Sequence, residues 1–263
     1  MWTVKKPAKA KARAGVINDQ VKSRYNTAPQ WSVVAIETFV YRDLREYIVV
    51  NGETDFAGCK EIVTSEDDLR VTMGETPQSA IEKSIDRLDD ICKEVIAKSP
   101  FIVIASANSD GELDISPKGD PAGFVQVLDD KHLAIPDRPG NRRADTFENL
   151  ISNPHVAIIF MIPGRGETLR INGEARIVRD EPLRKSMAVK GQVPSFAIVV
   201  RVEEAFMHCP KCVVRSKLWE PEAWPDHSEM PSIQEAVIKH ANLDMTVEEY
   251  KEQLVAEDRL KLY

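Results

Sequence analysis

FIVIASANSDGELDISPKGDPAGFVQVLDDKHLAIP, residues Phe101 to Pro136, is the stretch that decides the fold. Short β-branched runs alternate with turn signals throughout it. FIVIASA and ELDIS flank NSDG, where Asp110-Gly111 supplies the positive φ angles of a tight hairpin. FVQVL and HLAIP flank the turn residues Asp129, Asp130 and Lys131. The spacing predicts an antiparallel meander. Downstream, HVAIIFMI, the turn PGRGE, TLRINGEARIV and the long run SFAIVVRVEEAF continue it. About six strands with one or two short helices between them predict a mainly β fold with flanking helices, its strands closing into an antiparallel barrel.

Upstream of the meander, TPQSAIEKSIDRLDDICKEVIAKSP reads as one helix. Thr76 suits the N-cap and Pro77 the first helical position. Ile81, Ile85, Leu88, Cys92 and Val95 recur at steps of four and three, and Ser99-Pro100 ends the pattern. Earlier still, Trp31 to Val50 is apolar and β-branched and is expected to be ordered, without a choice between helix and strand. The first 24 residues hold seven Lys or Arg and one acid, with no apolar core of a secretory signal, and read as a solvated basic arm. At the other end, Ser232 with Glu235 and Thr246 with Glu249 form two capping boxes and predict two short helices. His240 and the charges from Glu248 to Asp258 read as solvated faces.

Composition narrows the function. The chain has 263 residues, 43% of them hydrophobic, and a formal net charge of −7. That charge argues against general nucleic-acid or membrane-surface binding, which needs a broad basic surface. No apolar run approaches the roughly 20 residues of a membrane span. A cytoplasmic protein whose partners are small molecules or other proteins is expected. Cysteines at 59, 92, 209 and 212 are too few for a disulfide scaffold. HCPKC has the spacing of half a zinc site beside His208, but there is no second CxxC, so no metal is assigned and the pair is read as closing a strand.

IPDRPGNRRADTFENLISNP, Ile135 to Pro154, carries the strongest chemical signal. Arg142 and Arg143 stand where a helix begins, against the positive end of its dipole. Asn141 is one candidate cap, and Asp145 with Glu148 is the other. Two guanidiniums beside free amides suit a dianionic phosphate. Pairing with Asp137, Asp145 or Glu148 explains them equally well. Lys118, in DISPKGD, adds a third cation at a strand end.

With these residues in view, the chain resembles the pyridoxamine 5'-phosphate oxidase class of FMN-binding split barrels. The resemblance runs from about Ile62 to Pro231 and rests on SPFIVIASANSDG, DISPKGDPAGF, LAIPDRPGNRRADTFENLISNPHVAIIF, PGRGETLRINGEARI and RSKLWEPEAWP. It implies a six-stranded antiparallel split β-barrel and a homodimer with FMN at the subunit interface. It implies that Asp114, Ile115, Ser116 and Lys118 run along the flavin, that Pro136 and Asp137 touch it, and that Arg142 and Arg143 hold its phosphate. Asn141 and Thr146 complete that set, and Thr168 falls where the oxidase has a flavin-contacting glutamine. The oxidase's C-terminal arginine-x-histidine element has no counterpart, so the resemblance is nearer a bacterial subgroup in which His208, Lys211, Arg215, Ser216 and Trp219 stand near the end of the barrel. His208, Arg215 and Trp219 are the expected substrate contacts, and Lys118 and Arg215 the expected catalytic cations. The division implied is an extension over 1–61, the FMN-binding barrel over 62–231 and a helical tail over 232–263. An FMN-dependent oxidoreductase is the favoured reading. A flavin-binding protein without turnover, or a barrel that uses haem or a deazaflavin, is the alternative.

Overall fold

A computed structural model of the protein describes Cys59 and residues 61–263; the basic arm and the Trp31–Val50 segment lie outside these residues. The chain divides into two compact units between Glu75 and Thr76. In the first, helix α1 (Glu66–Met73) begins at Ser65, whose hydroxyl accepts the Asp68 amide at 3.2 Å, and ends at Gly74 with φ 72°. Three acids in its first turn match the positive end of the helix dipole.

The second unit begins with a departure from the expected single helix. Two helices replace it, α2 (Gln78–Glu82) and α3 (Asp90–Lys98). Between them the Ile85 amide donates to the Ala205 carbonyl at 3.0 Å, and Ala205 returns the bond at 2.7 Å. A strand partner thus takes the backbone that a continuous helix would use. Asp89 then caps α3, its carboxylate accepting the Cys92 amide at 2.9 Å. The expected end at Ser99-Pro100 is where α3 stops.

Seven antiparallel strands follow: β1 (Phe101–Ala107), β2 (Leu113–Gly119), β3 (Gln126–Val127), β4 (His132–Pro136), β5 (His155–Met161), β6 (Thr168–Val178) and β7 (Ala197–His208). The β1–β2 loop departs from the expected hairpin in that only Gly111, at φ 81°, is left-handed. Asn108 closes the loop instead, its side chain accepting the amides of Asp110 and Glu112 at 3.0 and 2.9 Å. The sheet order is β2-β1-β5-β6-β7-β4-β3, so its hydrogen bonding leaves β2 and β3 as open ends, and the closed barrel of six strands is corrected to an open sheet of seven. The physical reasons are local. Pro117 lies in β2, a position that suits an edge strand, and β3 is cut to two residues by the turn at Pro121–Phe124.

The sheet packs its inner face on a main apolar core, with a smaller cluster of Ala134, Met187 and Ala197 beside it. Leu88, just before α3, and Cys92, Val95 and Ile96 of α3 pack against Ile102, Ile104, Ile158, Phe160, Leu169, Ile171 and Val200, all nearly or completely buried. Cys92 serves as a small apolar side chain there, its thiol pushed up to about 11 by burial. At the bulge between Asn172 and Gly173 the Arg201 carbonyl lies 2.1 Å from where a Cβ on Gly173 would sit, so only glycine fits. Where the sheet's hydrogen bonds stop, a charge pair takes over. Asp120, just after β2, accepts from Arg138 Nε, just after β4, at 2.6 Å, with the two side chains only 1% and 15% exposed. Helices α4 (Asp145–Ser152), α5 (Glu181–Ser186), α6 (Lys211–Ser216), α7 (Ile233–Ala241) and α8 (Val247–Ala256) flank the sheet. Both expected capping boxes are formed, at Ser232/Glu235 of α7 and Thr246/Glu249 of α8. No helix among the described residues is long and apolar enough to cross a membrane.

Candidate functional site

The site starts from the register of β2. Asp114, Ser116 and Lys118 stand opposite Ser106, Ile104 and Ile102 of β1. Opposed residues share a face of the sheet, and these β1 residues are buried. Three polar side chains therefore point to the inner side, while Leu113 and Ile115 on the outer side are 86% and 71% exposed. This inverts the usual alternation of a sheet packed on a core.

The inner polar face forms one wall of a cleft of about 740 Å3, a size within the usual range of cofactor and ligand sites. Pro136, Asp137 and Arg138 at the exit of β4 and residues 140–147 leading into α4 form the other walls. The Asp137 amide donates to the Phe196 carbonyl at 3.0 Å, which fixes the chain as it leaves the sheet. Burial raises the Asp137 carboxyl, against the opposing pull of Lys118 and Arg138. Burial likewise lowers the Lys118 ammonium, against Asp137 and Asp114. Both charges are thus partly desolvated, and a bound polar ligand can restore what water no longer supplies.

The α4 entry differs from both expected caps. Ala144 occupies the N-cap, left-handed at φ 61°, and offers no side-chain acceptor to the first-turn amides. Asn141 instead accepts the Arg143 amide at 3.0 Å, and Asp145 accepts Arg143 Nε at 2.7 Å. The acid-pairing explanation therefore holds for Arg143, whose side chain is 72% exposed. Arg142, also left-handed at φ 60°, makes no hydrogen bond or ion pair among the described residues. Thr146 donates to Asp114 at 2.7 Å and ties α4 to β2. The lining carries six cations and four carboxylates, a local excess of positive charge in a chain of net charge −7.

Of the residues expected at the cofactor, Asp114, Ile115, Ser116, Lys118, Pro136, Asp137, Asn141, Arg142, Arg143 and Thr146 all border this one cleft. Thr168, His208, Arg215 and Trp219 do not. Thr168 pairs with His208 on the β6–β7 ladder. Lys118, Ile102, Phe160 and Leu169 form one row across the sheet, so Thr168 sits one residue beyond that row and three strands away, about 14 Å along the sheet. Arg215 is exposed on α6, and His208 is exposed at the end of β7. Trp219 donates its indole N–H to the Arg165 carbonyl at 2.9 Å, a structural use. Within one copy, then, the two expected catalytic cations are not brought together. Cys209 and Cys212 are exposed free thiols, and no group of three or more metal-ligating side chains occurs among the described residues.

Sequence reasoning missed Arg138 and the tail residues Asp258, Arg259 and Lys261, which also line the cleft. Arg138 was within reach, as the neighbour of Pro136 and Asp137. Asp258 is exposed, as the solvated-face reading expects, and also borders the cleft, where at φ 57° it turns the chain out of α8.

Comparison with known proteins gives a consistent result. Residues 88–209 match the family model described as pyridoxamine 5'-phosphate oxidase. Solved structures similar to this chain include HupZ from Group A Streptococcus, at 23% identity over 45% of this chain and 92% of that one, with a TM-score of 0.38. A putative pyridoxamine 5'-phosphate oxidase from Lactobacillus delbrueckii is 22% identical over 46% and 95%, with a TM-score of 0.37. HutZ, the heme storage protein of Vibrio cholerae, is 18% identical over 47% and 94%, with a TM-score of 0.33. No curated protein matches the chain.

Proposed function

We propose that the chain, whose residues 88–209 match the pyridoxamine 5'-phosphate oxidase family model, is an FMN-dependent oxidoreductase of that class acting on a small organic molecule. The observation that carries the reading is the cleft itself: Arg142, with no hydrogen bond or ion pair among the described residues, and an α4 N-terminus without a side-chain cap stand at one end, and the polar face of β2 runs along the wall. This donor set fits a phosphomonoester joined to a flat polar ring. FMN would supply hydride transfer, and the protein binding and electrostatics. Arg142 and the first-turn amides of α4 hold the phosphate, with Arg143 following once it exchanges Asp145 for the ligand. Lys118 and Asp114 face the ring from β2, and the partly desolvated Lys118 is the cation that steadies charge developing there.

A second copy of the chain completes the site. Leu113 and Ile115 on β2 and Ile159 on β5 leave the outer face of β2-β1-β5 apolar and exposed, and a homodimer covers it. In that dimer the cluster of Thr168, His208, Arg215 and Trp219 from one copy faces the cleft of the other and receives substrate. The chain is then organised as an extension over 1–61, a cofactor domain over 62–231 and a tail over 232–263.

The test is the absorption spectrum of purified protein after incubation with FMN, followed by turnover with a reduced nicotinamide. Flavin bands at one FMN per chain, with nicotinamide oxidation, are expected. A Soret band, or no retained chromophore, overturns the cofactor assignment; bound FMN without turnover on any donor leaves a flavin-binding protein.

A further inference from the structure

The tail does more than flank the sheet. Helix α8 is anchored by Tyr250 and Leu254, each 8% exposed, and ends when the Arg259 amide bonds back to the Leu254 carbonyl at 2.9 Å and Asp258 turns left-handed. The chain then runs to the cleft, where Asp258, Arg259 and Lys261 join its lining. Its final contact is specific. Tyr263 donates its hydroxyl to Asp120 Oδ1 at 2.6 Å, and the other oxygen of the same carboxylate holds Arg138. The Tyr263 ring lies 5.7 Å from the Arg138 guanidinium and 5.2 Å from the Lys190 ammonium, within cation–π range of both. Leu262 beside it stays 77% exposed, so the chain docks here through its aromatic, hydrogen-bonding residue and not through its apolar one.

Among the described residues, the cations on this segment make ion pairs only within the segment. Lys261 pairs with Asp258 at 2.8 Å, largely exposed, and Arg259 with Glu257 at 3.5 Å, partly exposed at 35% and 45%. Exposed pairs of this kind contribute little and are readily given up to a stronger anion. We infer that Glu257–Tyr263 is a strap that closes the phosphate end of the cleft and slows cofactor release, with Tyr263 as its latch and Arg259 and Lys261 as additional phosphate-binding cations. The inference rests on the FMN reading of the cleft. The hydrogen bond to Asp120 also raises the Tyr263 phenol, so the latch stays protonated at neutral pH.

The test compares the wild-type chain with Tyr263→Phe and with Arg259→Ala/Lys261→Ala, reading release of FMN and of riboflavin by recovery of flavin fluorescence. Tyr263→Phe is expected to release both ligands about tenfold faster, from loss of one charge-assisted hydrogen bond. The double variant is expected to release FMN faster, also by about tenfold, and riboflavin at the wild-type rate, because only FMN carries the phosphate. Unchanged FMN release in both variants overturns the inference. Trypsin cleavage after Arg259 in cofactor-free protein separates this from failure of the FMN reading. If wild type takes up no FMN, faster cleavage of Tyr263→Phe still supports the latch, and equal cleavage overturns it.

Discussion

Strands β2 and β5 both pair with β1 along its length, one on each side, yet they use their faces in opposite ways. β5 sends Val156, Ile158 and Phe160 inward to nearly or fully buried positions. β2 sends Asp114, Ser116 and Lys118 inward and leaves Leu113 and Ile115 outside. A strand with its polar residues on the core side contributes little to folding by burial. It suits the proposed reading, in which β2 is the wall of a binding site and its apolar back is covered by a second copy of the chain. The contrast separates residues that keep the sheet folded from residues that make it useful.

The largest effect expected from this contrast is on stability. Phe160→Ala should cost about 3–5 kcal/mol in urea unfolding, because it empties the core that β5 fills. Lys118→Met, on the same row of the sheet, should leave stability unchanged or raise it, since it removes a partly desolvated cation. Equal destabilisation by the two substitutions would remove the distinction between the strands.

A second, smaller effect concerns the outer face. Ile115→Asp places a charge on a side chain already 71% exposed, so the isolated fold should tolerate it. The proposed homodimer should not, because an unpaired charge would be buried at its centre. Light scattering at micromolar concentration should show dimer for wild type and monomer for the variant, with far-UV circular dichroism unchanged. A variant that remains dimeric would place the interface elsewhere.

The smallest effect is electrostatic. Burial lowers the Lys118 ammonium in the folded state, so charging it opposes folding. Cofactor-free protein therefore gains stability as pH rises from that lowered value toward the unfolded value of about 10.4. In Asp137→Asn the leading opposing carboxylate is gone, Lys118 falls further, and the gain should begin at a lower pH. Urea midpoints across the alkaline range check this, and coincident profiles for the two proteins would contradict it.

What the sequence disclosed divides along similar physical lines. The two tail helices were legible because a capping box is complete within four residues, as at Ser232–Glu235. The strands were legible from period and turn residues, and the grouping of Lys118, Asp137 and Arg142 around one cleft from a resemblance that names them together. The break in the helix expected from Thr76 was not, because Ile85 takes its backbone partner from Ala205, and Ser84 donates to Glu204 across 120 residues. Nor was the strap, since Tyr263 and Asp120 are 143 residues apart. Local pattern carries no information about such contacts. The sheet's open edges belong to the same class: the strand count suggested closure, and Pro117, which suits an edge strand, did not enter that expectation.

The central claim is that the cleft between β2, β4 and α4 recognises a phosphate. Its most direct test is the affinity of FMN against that of riboflavin, by quenching of flavin fluorescence, for wild type and for Arg142→Ala/Arg143→Ala. Wild type should prefer FMN by roughly a hundredfold, as expected for charge-assisted bonds to a dianion. The double variant should lose most of that preference with its riboflavin affinity intact. Equal binding of the two flavins by wild type, or an undiminished preference in the variant, would contradict the claim.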